Sequence, residues 1–365
     1  MQVMGPTKVL IAGASGLVGT AAANAFAAAG WPVVALSRRV PDLIKHAGVE
    51  HLAVDLQDPQ ACITACKALN DVTHLVYTAV YELPGLVPGW SDAKQIETNG
   101  AMLRNLLDPL IANANLQHVS LLQGTKAYGA AIGPIRVPAR ESQPRVEHPN
   151  FYWLQEDDLK NRAAENGFAT TIFRPQLIVG PNHGVVMNLP PVIGVYAAMR
   201  KAEGLPLAFP GGVDWVWEAT DARLTGDACL WAAQNPVAAG ETFNLTNGEV
   251  FSWRDMWPAI AATLNIDVGE DESFSIAEYL ESRQDLWDNI IVQQHRLQPL
   301  SLQQVLGESH HYADLAFAHG LQAPPPPTFV STVKIRQAGF NAVYNSEESF
   351  CHWLRDLQQR RIIPS

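Results

Sequence analysis

The chain is poor in the residue types that mark disulfide, metal and nucleic-acid proteins. Its 365 residues include four cysteines, Cys62, Cys66, Cys229 and Cys351, with no C-x-x-C spacing. That excludes a disulfide framework and a zinc ribbon, and it suits reduced thiols in a cytoplasmic protein. The eleven histidines form no H-E-x-x-H or Cys/His array, and the adjacent His310 and His311 read as a surface pair, so no metal is expected. Basic residues are the minority, 25 against 36 acidic, for a net charge of −11. This argues against broad contact with nucleic acid or an anionic membrane face. Long apolar runs are scarce as well. Lys8 and the following VLIAGASGLVGTAAANAFAAAG have the look of a leader peptide, but regularly spaced glycines and a following strand fit a first βα unit better. No other run of about 18 apolar residues offers a membrane span.

What the chain does have is alternation. Short apolar runs over 8–12, 33–37, 51–55, 74–80, 118–122, 170–173 and 241–245 read as strands, with helical stretches over 16–29, 59–69, 93–113, 153–165 and 222–234 between them. Apolar strands alternating with helices predict an α/β fold, a Rossmann-type doubly wound parallel sheet covered on both faces. After Gly180 the pattern is interrupted by Pro190, Pro191, Pro206 and Pro210. Helices over 192–203, 255–264 and 346–361 then predict a smaller, mainly helical C-terminal substrate-binding part. The expected division is a dinucleotide-binding domain over 1–180 with a returning segment at about 221–247, and a substrate-covering part over 181–220 and 248–365. The APPPP tract at 323–327 reads as a stiff surface connection rather than a ligand for an aromatic-grooved module.

The first strand runs into Gly13-x-x-Gly16-x-x-Gly19 and then a helix. The first glycine permits a tight turn, the second lets a diphosphate approach backbone N–H groups, and the third lets the helix pack on the strand. The second strand ends Ser37-Arg38-Arg39, where an NAD enzyme commonly carries a carboxylate for the ribose hydroxyls. Two guanidinium groups suit a 2′-phosphate instead, so NADPH is the expected cofactor; a solvated basic turn is the alternative. Asp55-Leu56, at the end of the third strand, would flank the adenine.

Two residues single out the chemistry: Lys126 in LLQGTKAYG after the fifth strand, and Tyr152 in NFYWLQED opening the next helix. A short-chain dehydrogenase normally carries Tyr-x-x-x-Lys on one helix and a serine after the fifth strand. Here those positions hold Glu156 and Gly124. A phenol donates well to an incipient oxyanion, and a nearby ammonium lowers its pKa and stabilises the charge passed to the oxygen. By spacing alone, a surface lysine and a core tyrosine explain the pair equally well. Glu156-Asp157-Asp158 read as first-turn carboxylates that favour the helix rather than as acid/base groups.

QGTKAYG and NFYWLQED are similar to the motifs QTGxKHYxGP and NFYYxxED of the progesterone 5β-reductase and iridoid synthase-like family of atypical short-chain dehydrogenases/reductases. NDVTHLVY, LRNLLDPLI, FRPQLIVG, VYAAMRKAEGLPLAFPG, FNLTNGEVFSW and LRDLQQRRIIPS resemble further family segments, so the likeness runs through the chain. The resemblance implies NADPH-dependent reduction of the C=C bond of an activated enone, with the enolate stabilised by Tyr152 and Lys126. It places Ser15, Gly16, Leu17 and Val18 around the cofactor, with Arg38, Arg39, Asp55, Leu56, Ala79, Val80, Ile178, Val185, Val186 and Met187. Trp153 replaces the family's second tyrosine. Ala127, Ala130-Ala131-Ile132 and Tyr81-Glu82-Leu83-Pro84 depart from the pattern at positions expected to line the substrate pocket. A small apolar enone is therefore expected as the partner, and steroid or terpenoid substrates are not carried over. A homodimer is compatible with the reading. Two alternatives stay open: an extended short-chain dehydrogenase acting on a sugar nucleotide or carbonyl substrate, and a non-catalytic NADPH-sensing protein. The missing Tyr-x-x-x-Lys counts against the first, and the retained Lys126 and Tyr152 against the second.

Overall fold

A computed structural model of the protein describes residues 7–84 and 86–365. β1 (Val9–Ala12) leads into α1 (Leu17–Ala28), and the alternation continues through β2 (Val33–Ser37), β3 (Glu50–Ala53), α2 (Pro59–Cys66) and β4 (His74–Tyr77). α3 (Ala93–Asn113), β5 (His118–Leu122), α4 (Phe151–Asn166) and β6 (Ala169–Pro175) follow. Two short pairs lie outside the sheet: β7 (Ile178–Val179) with β9 (Thr220–Asp221), and β8 (Val216–Trp217) with β11 (Phe251–Ser252). α5 (Leu189–Ala202) falls between β7 and β8 in the chain, and α6 (Ala222–Gln234) returns the chain to the sheet as β10 (Glu241–Leu245). The seven main strands lie in the order β10-β6-β5-β4-β1-β2-β3, all parallel. Strand order reverses between β1 and β4, which opens a crevice at their carboxyl ends.

The strand residues explain this arrangement. β1, β2 and β4 are buried throughout because helices cover both faces, whereas the edge strand β3 stays half exposed. On one face α1 packs closely on α6: a Cβ added at Gly226 would lie 2.6 Å from Ala21 O, so the small residues of α1 set the approach. α2 starts where Asp58 accepts from the N–H groups of Gln60 and Ala61, with Pro59 next. A separate apolar cluster around Trp253, Trp257, Phe317 and Phe350 forms the core of the C-terminal helices.

Several boundaries differ from the sequence expectation for local reasons. The third strand ends at Ala53, so Asp55 lies in the following turn, where its carboxylate accepts from Gln57 N at 3.0 Å. Pro190 and Pro191 open α5 instead of interrupting the chain, since the first helical turn leaves its N–H groups without helical partners anyway. His310 is buried, with Nε2 3.0 Å from Glu281 Oε1, so the histidine pair is not simply a surface feature. All four cysteines are free and buried, and among the described residues no helix is long and apolar enough to cross a membrane.

The amino edge of the sheet holds two buried imidazoles, His74 of β4 and His118 of β5, with ring centroids 6.0 Å apart. Burial pushes His74 down to about 4 and His118 to about 3, with His74 adding to the second shift. Both are neutral in the fold but gain protons in the unfolded chain below about pH 6.5. Their contribution to stability is whole above that pH and is lost as the pH falls toward the folded values. Thermal unfolding between about pH 7 and about pH 4 should show the midpoint falling. The His74→Gln, His118→Gln double variant should show a flatter slope; an identical slope would contradict the assignment.

Candidate active site

The crevice is a cleft of about 1040 Å³. One end is built from the glycine turn. Gly13 has φ +85°, and a Cβ there would lie 2.7 Å from Ala79 N. A Cβ at Gly19 would run into Gly13 O, so the third glycine serves helix–strand contact behind the cleft. α1 begins at Gly16 with no side-chain cap and no carboxylate in its first turn. Its leading N–H groups thus suit a diphosphate. Ser37 Oγ donates to Arg39 O at 2.6 Å and fixes the turn that carries the exposed Arg38 and Arg39 into the cleft wall.

Of the positions expected around a dinucleotide, Gly13, Ser15, Gly16, Leu17, Val18, Ser37, Arg38, Arg39, Asp55, Leu56, Ala79 and Val80 all line this cleft. So do Lys126, Tyr152, Ile178, Val185, Val186 and Met187. The segment carrying the last three is anchored by Asn188, whose Nδ2 donates to Gly180 O and Asn182 O, and by Ser309 Oγ, which donates to Val185 O at 2.7 Å.

Lys126 stands in a short 3-10 turn, Thr125–Tyr128, directly after β5. Tyr152 lies in the first turn of α4, whose start is set by Asn150: its side chain accepts from Tyr152 N at 3.0 Å. A Cβ added at Gly124 would lie 3.3 Å from Tyr152 Oη. The phenol oxygen therefore sits against the position where a serine would stand. Lys126 Nζ lies 3.6 Å from the Trp90 ring centroid. Burial lowers its pKa to about 8, and Glu82 opposes that shift. Burial pushes the Tyr152 phenol well up, Glu82 adds to the rise, and Arg174 opposes it. The lowering expected from a nearby ammonium is not among these influences, and the phenol is held protonated.

Glu156, one turn past Tyr152, is not a first-turn carboxylate but a buried one. Its Oε2 accepts from Arg174 Nη2 at 3.2 Å and from Gln123 Nε2 at 3.1 Å. Lys160 and Arg145 reach Oε1 at 2.7 and 3.1 Å. Burial pushes its pKa up, but hydrogen bonds from Lys160, Arg145 and Gln123 outweigh that and hold it at about 2. Gln123 also donates to Tyr152 O at 3.2 Å and accepts from Arg174 Nε at 2.9 Å.

Sequence reasoning missed the far wall. Trp90, Trp215, Trp217 and Tyr312 line the cleft, so the aromatic surface missing at Ala130 and Ala131 is supplied from elsewhere. Pro325 and Pro326 also line it, and Gln176 Nε2 donates to Thr328 O at 2.7 Å. The proline tract is thus part of the cleft wall rather than only a surface connection. Nothing in the local sequence around these residues signals that role.

The sequence profile of the NAD dependent epimerase/dehydratase family matches residues 9–246. An (S)-8-oxocitronellyl enol synthase of Catharanthus roseus is 30% identical over 97% of this chain and 92% of its own. A 3-oxo-Delta(4,5)-steroid 5-beta-reductase of Arabidopsis thaliana is likewise 30% identical, with the same coverage of 97% and 92%. Among solved structures, the UDP-glucose 4-epimerase of Thermotoga maritima with UDP-glucose superposes with a TM-score of 0.69 at 13% identity, covering 97% of this chain and 99% of that one. At that identity the likeness concerns the fold.

The buried charge cluster makes a stability prediction. Arg174→Met strips Glu156 of one buried partner and should lower the unfolding free energy by about 3 kcal/mol. Adding Glu156→Gln should restore part of it. Urea denaturation of the single and double variants checks this; a single-variant loss below the roughly 1 kcal/mol of an exposed pair would contradict it.

Proposed function

The chain belongs to the NAD dependent epimerase/dehydratase family, in its progesterone 5β-reductase and iridoid synthase-like branch, and from that premise we propose that NADPH is its cofactor and that Tyr152 and Lys126 carry the reaction. The enzyme reduces the C=C bond of activated enones. One observation supports the assignment above others. Tyr152 Oη lies against Gly124, in the cleft that Lys126 also lines, while the usual helix lysine is the buried Glu156.

When bound, NADPH supplies hydride to the β-carbon of the enone. The chain's own residues then act on the other end of the conjugated system. Tyr152, kept protonated by burial, donates a hydrogen bond to the carbonyl oxygen as it becomes enolate. Lys126, half-buried in the same cleft, places a positive charge near the same oxygen, where partial loss of hydration strengthens it. The α-carbon finally takes a proton, ultimately from solvent. The aromatic wall of Trp90, Trp215, Trp217 and Tyr312 supports an apolar enone as substrate.

Arg38 and Arg39 at the end of β2 support NADPH over NADH, each charge-assisted contact to the 2′-phosphate being worth roughly 1.5–3 kcal/mol. A working division into a nucleotide-binding part over 1–180 with 221–247 and a substrate-covering part formed by the rest goes with this reading. So does a cytoplasmic location, which the free buried thiols suit. A sugar-nucleotide epimerase reading shares the fold but lacks the serine and lysine at positions 124 and 156.

Turnover of a simple cyclic enone tests the proposal. NADPH should be preferred over NADH by at least about tenfold, with Arg38→Ala losing NADPH affinity selectively. Tyr152→Phe should cut turnover by roughly 10²–10⁴-fold. Near-normal turnover in Tyr152→Phe would place the donor elsewhere, and equal use of the two cofactors would remove the role given to Arg38.

A further inference from the structure

Stabilising an enolate needs Lys126 as a cation, yet the fold leaves it only partly exposed, and the lost hydration favours the neutral amine. Among the described residues no hydrogen bond or ion pair reaches its Nζ. What surrounds the amine comes from the chain that follows β4. The Trp90 ring lies 3.6 Å from Nζ, face toward it. A cation gains from such a face, most when it is desolvated. Glu82 lines the same cleft, and its carboxylate acts on Lys126 from outside ion-pair contact.

Glu82 is held in place by construction. Gln95 and Asn99 lie one turn apart on α3, and both are fully buried. Asn99 Oδ1 accepts from Tyr81 N, and Asn99 Nδ2 donates to Tyr81 O, each at 2.8 Å. Gln95 Oε1 accepts from Leu83 N at 2.8 Å, and Gln95 Nε2 donates to Glu82 Oε2 at 2.6 Å. Two buried amides thus fix the backbone on both sides of Glu82 and one of its oxygens. Burial of two amide side chains in a helix that could be wholly apolar is costly unless their bonds are satisfied, and here they are satisfied by the segment that carries Glu82.

We propose that Glu82 and Trp90 form a cradle that keeps Lys126 in its ammonium form and aims it at the substrate oxygen. Both are positioning residues, and the inference rests on the role proposed for Lys126. The other groups facing this site do not supply the needed charge. Tyr152, from α4, is held neutral, and Arg174, from β6, is a cation already engaged with Glu156. On the far wall, Asp314 is committed to Ser275 Oγ and Ile276 N, and His311 and His319 are not anions. Glu82 is itself pushed up by burial and drawn back by Lys126, so each partner sustains the charge of the other.

The amine's titration can be read without turnover. The full-length protein is exposed to acetic anhydride from about pH 6 to about pH 10, and acetylation of Lys126 is followed by peptide mass spectrometry. The wild-type midpoint should lie near 8. In Glu82→Gln it should fall by about one pH unit, because the stabilising charge is gone. Trp90→Leu should move it in the same direction, and Glu82→Asp should restore most of the shift. Turnover with NADPH and a cyclic enone should follow, its alkaline limb moving to lower pH in Glu82→Gln while NADPH affinity is unchanged. An unmoved midpoint in both Glu82→Gln and Trp90→Leu would overturn the cradle. So would a pH-independent loss of turnover in Glu82→Gln with release of enol, which would assign Glu82 to proton transfer. If the wild type oxidises no NADPH with any enone, the proposed function fails, and the labelling still decides the cradle.

Discussion

Glu156 is a carboxylate buried one helical turn from the Tyr152 phenol, and the arrangement of the site depends on neutralising it. An unpaired ion there would cost several kcal/mol in lost hydration, so partners must converge from neighbouring elements. Arg174 comes from the end of β6, Gln123 from the end of β5, and Lys160 and Arg145 from the helix and the loop before it. Satisfying this one group therefore ties together the carboxyl ends of two strands and the start of α4. Gln123 also bonds the backbone of Tyr152, so the network that quenches the charge fixes the tyrosine.

In the proposed reaction the same residue bears on where positive charge can come from. A lysine at position 156 would lie one turn from Tyr152, as in ordinary short-chain dehydrogenases. With a glutamate there, the nearest cation on that side is spent on it, and the phenol stays protonated. Lys126 lines the cleft from the turn that follows β5. Gly124 removes the hydroxyl that would otherwise share the carbonyl oxygen and leaves room at 3.3 Å from Tyr152 Oη. In the proposed reading a donor and a cation share one oxygen without a second hydroxyl, which suits a substrate whose charge develops at the oxygen while hydride arrives two atoms away.

The nucleotide-binding half could be read from sequence because its signals are local. Gly13, Gly16 and Gly19 follow a strand at fixed spacing, Arg38 and Arg39 end the next one, and period and turn residues located the main strands within a few positions. Lys126 and Tyr152 were singled out through family resemblance, since their spacing alone left a structural explanation equally good; the fold brings both to the cleft. What escaped depends on packing between distant segments. Glu156 looks like a helix-start carboxylate until Arg174 is brought across the sheet. Pro190 and Pro191 obey two local rules, breaker and helix opener, and only the fold chooses the second. The proline tract near 325 meets the cleft after a long excursion that no short-range pattern records, and Trp90 reaches Lys126 from a single 3-10 turn, Val87–Ser91, too short to show a periodicity.

The central claim is that hydride adds to carbon and the charge goes to an oxygen held by Tyr152. Transfer of label from 4R- or 4S-deuterated NADPH to a cyclic enone tests it most directly, with the product analysed by NMR. Deuterium on the β-carbon of a saturated ketone is the predicted result. Deuterium on the carbinol carbon of an allylic alcohol would contradict the account and make the site an ordinary carbonyl reductase.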